Sequence, residues 1–222
     1  MSGVLDIGLD ELPETLPVFP LSGVLLLPRG RLPLNVFEPR YLSMTEEALG
    51  RGRVIGIVQP RTAEADPISD TAPLYDLGCV GRIVSFAETD DGRYLIALLG
   101  VCRFRIVGEE PLYRGFRQVK ADFRTFAGDL EEPRGTIDDR SRMLSAVREY
   151  LTLKGIAADW EAIEEADDDS LVTTLAMICP FEPREKQALL ECRGLPERSE
   201  LLASLMEMSV REAEAAASTA QH

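Results

Sequence analysis

The hydrophobic pattern of this chain changes its period near residue 127, and that change limits the folds open to it. From Leu16 to about Phe126, apolar residues occur in short runs separated by proline and glycine, as in strands joined by turns. Beyond Phe126 they recur at i, i+3 and i+4, the spacing of helices with one buried face. We therefore predict an α+β protein whose β part precedes its helical part.

The same pattern sets the expected boundaries. Residues 1–14 lack periodicity and are expected to form a flexible N-terminal arm. Residues 15–126 form the β part, residues 127–210 the helical part with a linker at 127–135, and the alanine-rich end, 211–222, is expected to fray. Charge supports this division, because residues 127–222 carry 21 acidic and 10 basic residues against 17 and 14 in residues 1–126.

One helix is predicted within the β part. Glu38 precedes Pro39, a favoured first helical residue, and Gly50 fits the C-terminal cap. The residues with helical spacing between them are Tyr41, Leu42, Thr45, Ala48 and Leu49. This helix therefore separates the first strands from the later ones.

The later strands carry two local signals. Asp90-Asp91-Gly92 lies between two apolar runs, and Asp-Gly favours the turn of a tight hairpin. Strict alternation over residues 102–106 places Cys102, Phe104 and Ile106 on a buried face, with Arg103 and Arg105 on a solvated face. Residues 60–73 are interpreted as an exposed connecting loop, with partner contact as the alternative.

The helical part divides at its proline, glycine and acidic residues. A first helix ends at Gly155, a second covers residues 159–166, and a third runs from about residue 170 until Pro180 stops it. Pro183 and Pro196 begin the last two. The cluster at 167–169 is interpreted as a helix cap, with a metal site as the less favoured alternative, since it lacks the pattern of a calcium loop.

Catalytic motifs are absent from the sequence. The only histidine is His222, and no nucleotide-binding loop, serine elbow or zinc-protease motif occurs. None of the three lysines (Lys120, Lys154 and Lys186) stands beside a nucleophile motif. We expect no catalytic, cofactor or metal site, although paired carboxylates leave a hydrolase formally open.

Composition also bears on compartment and partners. The four cysteines form no CxxC pair and are expected to be buried thiols, with a redox pair as the alternative. A net charge of −14 argues against nucleic acid as a partner. No run is long enough to span a membrane, and the acidic N-terminus does not resemble a signal peptide, so a cytoplasmic protein is expected.

One segment supports a more specific identification. It begins LPVFPL at residue 16, continues GVLLLP at residue 23 and ends LPLNVFEPRY at residue 32. This segment resembles the opening signature of the Lon protease N-terminal, substrate-binding domain family, and further matches extend the resemblance to about residues 15–208. Asn35 departs from the family, in which histidine is frequent at that position. The motif residues singled out, and expected to be structural, are Pro20, Pro28, Phe37, Glu38, Pro39, Arg40 and Tyr41.

The resemblance implies a fold and a function. It implies a bent, barrel-like β subdomain followed by a helical bundle, in a free-standing member without the ATPase and protease modules. It also implies non-enzymatic binding of an unfolded or tagged polypeptide, or of a protease or chaperone partner, as an adaptor in proteolysis or quality control. The alternative from a different class is a regulatory module that holds a small molecule between the two subdomains.

Overall fold

The computed structural model of the protein describes residues 7–62 and 68–219. Contacts divide the chain into two compact units. We call them the sheet unit, Met1–Glu132 with Pro180–Leu190, and the helical unit, Pro133–Cys179 with Glu191–His222. The expected boundary at residue 127 thus differs from this division, in which residues 127–132 and 180–190 group with the strands.

In the residues that the structure describes, the sheet unit contains six strands. These are β1 (Thr15–Pro20), β2 (Arg31–Val36), β3 (Val54–Val58), β4 (Leu77–Glu88), β5 (Tyr94–Tyr113) and β6 (Phe116–Asp122). Their order is β2-β5-β4-β3-β1-β6, and β1 pairs with β3 in parallel while every other pairing is antiparallel. The sheet is therefore mixed.

The length of β5 bends the sheet back on itself. Its residues 94–105 pair with β4, whereas residues 105–113 pair with β6, and both ladders contain irregularities of register. Such bulges increase local twist and bend a strand. Because β5 pairs with both β4 and β6, strand pairings link β5, β4, β3, β1 and β6 in a ring. β2 pairs with β5 outside this ring, so the six-stranded sheet as a whole is barrel-like but not a closed barrel. The predicted α+β class is confirmed.

The predicted hairpin forms between β4 and β5. Thr89 and Arg93 close it through a 2.9 Å backbone hydrogen bond, and Gly92 has a φ of 78°. That left-handed conformation is accessible to glycine at low cost. The Asp-Gly pair therefore ends one strand and starts the next as predicted.

The N-terminal arm differs from the expectation. Ile7 and Leu12 are buried in one apolar cluster with Leu16, Phe104 and Phe123. A short 3-10 helix, Leu9–Glu11, lies between them. Burial of two large side chains holds residues 7–14 against the sheet, and residues 1–6 of the expected arm lie outside the described residues.

The first helix, α1 (Pro39–Gly50), forms where the sequence predicts it. Glu38 is the N-cap and Pro39 occupies the first turn. The prediction that Gly50 caps the helix is wrong, since Gly50 is its last residue and Arg51 the C-cap. The left-handed residues are Gly52 and Arg53, and the Arg53 N–H donates to the Ala48 carbonyl at 2.8 Å.

The segment around residues 60–73 is only partly an exposed loop. Arg61 and Thr62 are exposed, residues 63–67 lie outside the described part, and Ile68 and Ala72 are buried. An isolated bridge joins Pro60 to Leu74. The end of the loop is therefore packed against the sheet unit.

The expected linker at 127–135 begins later than predicted. A 3-10 helix, Arg124–Leu130, follows β6, and Leu130 and Phe126 pack against the same apolar cluster as Phe123. At the other end of the sheet unit, α5 (Pro183–Glu191) supplies Gln187, which hydrogen-bonds with Gln59 of the segment after β3. Sequence periodicity identified α5 but not the unit with which it packs.

The described part of the helical unit contains four further helices. They are α2 (Arg140–Lys154), α3 (Trp160–Glu165), α4 (Asp168–Ile178) and α6 (Leu195–Thr219). Asp139, Asp159 and Asp167 cap the first three through hydrogen bonds to backbone N–H groups. The expected fraying from residue 211 is not seen as far as Thr219, and the remaining residues lie outside the described part.

The acidic cluster at 167–169 has a structural explanation. Asp167 accepts from the Ser170 N–H at 2.9 Å, and these hydrogen bonds hold the pKa of its carboxyl below the usual value. Asp168 pairs with Arg140 and accepts from the Ile137 N–H at 2.8 Å. The capping interpretation is therefore confirmed for Asp167, and Asp168 joins α4 to the segment before α2.

Candidate polypeptide-binding face of the sheet unit

The charged motif residues at the start of α1 hold the end of the 60–73 segment. Arg40 Nε donates to Glu38 Oε2 at 2.9 Å, and its Nη2 donates to the Ile68 carbonyl at 2.9 Å. The same guanidinium pairs with Asp70. A planar, forked cation suits this use, because it binds several oxygens in fixed directions.

Aromatic packing supports this arrangement from the apolar side. The Tyr41 ring lies 4.0 Å from the Phe19 ring between centroids, and the Arg40 guanidinium lies 4.6 Å from the Tyr41 centroid. Burial raises the pKa of the Tyr41 hydroxyl to about 12, so it stays neutral at physiological pH. The arrangement fixes chain segments and contains no activated nucleophile.

A second arginine, which is buried, secures the same segment. Arg117 of β6 donates to the Ala72 carbonyl at 2.7 Å and to Glu109 at 2.7 Å. The prolines of the motif lie at or near the ends of elements. Pro20 ends β1, Pro28 is buried before β2, and Pro39 begins α1. Each of these positions suits a residue with a fixed φ and no N–H.

Phe37 differs from the other motif residues because it is exposed. Its exposed fraction is 56%, and the Arg93 guanidinium lies 5.9 Å from its ring centroid. This exposure sets Phe37 apart from the structural role expected of the motif residues. An exposed phenylalanine beside a sheet edge is instead a candidate for contact with a partner.

Strand register places further apolar groups beside Phe37. Asn35 pairs directly with Leu95, and Leu95 pairs with Ala87, so these three side chains share one face of the sheet. Leu95 is 46% exposed, and alternation along the chain brings Phe37 and Arg93 next on that face. We call Asn35, Phe37, Ala87 and Leu95 the outer face.

The outer face adjoins an unpaired strand edge. In the described part of the chain β2 pairs with β5 alone. The Gly100 N–H bonds the Gly30 carbonyl at 2.8 Å, so by antiparallel alternation residues 32, 34 and 36 bond β5. Arg31, Pro33 and Asn35 therefore direct their backbone groups outward, and Pro33 contributes an acceptor but no donor to that row.

Arg103 is a buried charged residue whose burial the sequence pattern did not predict. Alternation predicted a solvated face for it, yet its side chain is 5% exposed and forms a two-pronged pair with Asp129 at 2.9 Å. Its Nη1 donates to the Leu190 carbonyl at 3.1 Å. Asp129 comes from the 3-10 helix after β6, and no sequence spacing links the two residues. The pair joins segments within the sheet unit.

The residues that the structure describes do not form a metal site or an activated thiol. No group of three or more histidine, cysteine or acidic residues is placed to hold a metal ion there. The four cysteines are buried thiols, and burial raises the pKa of Cys102 to about 12. Across residues 7–62 and 68–219, no helix is long and apolar enough to cross a membrane.

Solved structures share this fold. The Lon N-terminal domain protein from Xanthomonas campestris superposes with a TM-score of 0.55 at 24% identity, covering 86% of this chain and 97% of its own. The N-terminal domain of Mycobacterium avium complex Lon protease gives a TM-score of 0.59 at 16% identity, covering 87% of this chain and 98% of its own. At these identities the likeness establishes the fold alone.

Sequence relatives are longer proteins. Lon protease 2 of Myxococcus xanthus is 30% identical over 206 residues, which is 90% of this chain and 24% of the relative. Lon protease of Anaeromyxobacter dehalogenans is 28% identical over 206 residues, which is likewise 90% of this chain and 24% of the relative. The chain thus spans about a quarter of these relatives, with 24% of each covered.

A family profile covers most of the sequence. The profile described as the ATP-dependent protease La (LON) substrate-binding domain matches residues 15–208. That range includes all six strands, the motif at residues 16–41 and most of the helical unit. The chain belongs to the LON substrate-binding domain family.

Proposed function

We propose that the sheet unit binds polypeptides in an extended conformation, with the outer face receiving apolar side chains and the β2 edge receiving backbone groups. The observation that carries this proposal is the exposure of Phe37 and Leu95 beside a strand that has one unpaired side. Family membership supports a polypeptide as the ligand. The chain acts as a non-catalytic binding module.

The apolar part of the proposed site has a definite extent. Phe37 at 56% and Leu95 at 46% exposure offer two large side chains to a ligand. Covering apolar surface contributes about 25 cal/mol per Å², so a few ligand side chains give weak to moderate affinity. Such a site suits many sequences, since it asks only for apolar side chains at alternate positions.

The strand edge adds backbone recognition. Outward groups at Arg31 and Asn35 include N–H donors and carbonyl acceptors, and Pro33 adds a carbonyl. An extended ligand pairing here gains hydrogen bonds that do not depend on its sequence. The missing donor at Pro33 shortens the ladder, which also limits pairing between copies of the protein.

This mode of binding favours unfolded ligands. A folded protein keeps its strands paired and its apolar side chains buried, whereas an unfolded chain presents both. We propose that the module captures such chains, or a tagged terminus, on behalf of a protease or chaperone. An adaptor in proteolysis or protein quality control fits this role.

The test measures binding of a permanently unfolded protein to the full chain. Fluorescently labelled, reduced and carboxymethylated protein serves as the ligand, and anisotropy gives the dissociation constant. Changing both Phe37→Ser and Leu95→Ser is expected to weaken binding by about tenfold or more, because two apolar contacts are lost. Circular dichroism checks that the variant is folded.

The matched control is Val107→Ser. Val107 is also on β5 and is 61% exposed, but it lies in the half of the strand that pairs with β6. It is expected to leave affinity unchanged. Equal loss in the control, or wild-type affinity in the double variant, would refute the outer face as the binding site.

A further inference from the structure

The helical unit carries an apolar groove that the proposed function does not use. Its volume is about 390 Å³. It is lined by the end of α2, the segment before α3, and one side each of α3 and α4. Its principal apolar members are Leu151, Ile156, Ala162, Ile163, Leu175 and Ile178. Ile178 is 64% exposed, more than any other large apolar side chain in the described residues.

The groove has few polar groups that could orient a small, polar ligand. The polar side chains that line it are Asp159, Ser170 and Thr174. Asp159 already accepts a hydrogen bond from the Ala162 N–H as the cap of α3. Small-molecule sites depend on several convergent polar groups, so apolar side chains of a polypeptide suit this groove better.

The surroundings of the groove are strongly acidic. Residues 156–179 of the helical unit contain seven acidic residues and no lysine or arginine. Arg148 pairs with Glu164 and Arg140 pairs with Asp168, whereas Glu161 and Glu165 form no ion pair within the described residues. The acidic charge around the groove is thus only partly balanced from within the helical unit.

Two of these carboxylates raise the local electrostatic energy. Glu161 and Glu165 are four residues apart on α3, a spacing at which like charges repel. Glu165 is also the last residue of α3, where the helix dipole disfavours negative charge. A cationic ligand beside α3 would relieve both effects.

We infer that this groove binds an amphipathic helix with basic flanks. Its apolar stripe would cover Ile156 and Ile178, while its lysine or arginine side chains would pair with Glu161 and Glu165. The small side chains of Ala157, Ala158 and Ala162 leave room for close approach of a helix. A second copy of this chain is disfavoured, since its net charge is −14. This inference goes beyond the proposed function and uses different residues.

The probe is a synthetic 18-residue amphipathic helix of leucine and lysine, with a scrambled peptide of the same composition as its control. Calorimetry with the full chain measures binding at low and at physiological salt. The ordered peptide is expected to bind more tightly than the scrambled one, and affinity is expected to fall as salt rises. A version with glutamate in place of lysine is expected not to bind.

Two sets of variants locate the site. Ile178→Gln, and Glu161→Gln with Glu165→Gln, are each expected to weaken binding by about tenfold, since they remove apolar contact or opposite charge. Met208→Gln is the matched control, because Met208 is also exposed in the helical unit but does not line the groove. All four positions are at the surface, so folding is expected to survive.

The outcomes separate this inference from the proposed function. Loss of peptide binding in the groove variants, with unfolded-protein binding intact, supports the groove. Absence of peptide binding, equal binding of the scrambled peptide, or binding insensitive to Ile178→Gln overturns it. Loss in the Phe37→Ser and Leu95→Ser variant instead would assign the peptide to the outer face and overturn the groove.

Discussion

Removing Asp129 should destabilise the protein more than removing any exposed carboxylate. Asp129 accepts three hydrogen bonds from Arg103: from the backbone N–H at 3.0 Å, from Nε at 2.9 Å and from Nη2 at 2.9 Å. The two side chains are 12% and 5% exposed, so water cannot replace the lost partner easily. Breaking a buried ion pair from one side costs about 3 to 5 kcal/mol. We expect Asp129→Ala to lower the free energy of unfolding by that amount.

The magnitude is large against the whole stability of a typical domain, which is about 5 to 15 kcal/mol. Urea unfolding followed by far-UV circular dichroism gives the free energy by linear extrapolation. The single tryptophan, Trp160, lies in α3 and reports the helical unit separately by fluorescence. Because Asp129 lies in the sheet unit, the dichroism signal should shift more than the fluorescence signal if the units unfold separately.

Two comparisons test the physical reason. Asp122 and Arg124 form a pair of the same two-pronged geometry, with both hydrogen bonds at 2.9 Å, but at the surface. Asp122→Ala should therefore change the unfolding midpoint little. Combining Arg103→Met with Asp129→Leu should recover most of the loss, because no buried charge remains unpaired. A loss below about 1 kcal/mol for Asp129→Ala would refute the reasoning.

Three further predictions concern stability and reactivity. Asp167→Ala should cost about 1 kcal/mol through loss of the α4 cap, whereas Asp167→Asn should keep the cap. Folding lowers the pKa of Asp167, so the stability that its carboxylate contributes is present above the unfolded pKa and is lost as pH falls through the folded pKa. Below about pH 4, the wild type should therefore lose stability relative to Asp167→Asn in acid unfolding. Gly100→Ala should prevent folding at 37 °C, because the added Cβ would lie 1.9 Å from the Leu27 carbonyl oxygen, and soluble expression measures this. Cys79 and Cys102 should react with a thiol reagent only after unfolding, because burial raises the pKa of each thiol; rapid labelling of the native protein at pH 8 would contradict this.

Local signals predicted most of the elements. Pro39 at the start of α1, the Asp-Gly turn before β5 and the Asp167 cap each act through neighbouring residues, so the sequence alone identifies them. Packing between distant segments was not predictable in the same way. The pairing of Arg103 with Asp129 requires the 3-10 helix after β6 to lie against β5, and no periodicity in the sequence indicates that contact.

The candidate site shows the same limit. The FEPRY motif identifies the family from sequence alone, and its Arg40 contacts a carboxylate and a carbonyl oxygen in the structure. The exposure of Phe37 was not predictable, since an aromatic residue before a helix is equally consistent with a buried position. Register between β2, β5 and β4 was needed to place Leu95 and Ala87 beside it.

Hydrogen exchange tests the proposed binding face most directly. The full chain is exchanged in deuterated buffer with and without an excess of a permanently unfolded protein, and peptides are followed by mass spectrometry. We expect slower exchange in β2 and around Leu95 when the ligand is present, because the outward amides of Arg31 and Asn35 become hydrogen-bonded. Unchanged exchange over residues 31–37 in a complex that forms, with protection elsewhere, would contradict binding at this edge.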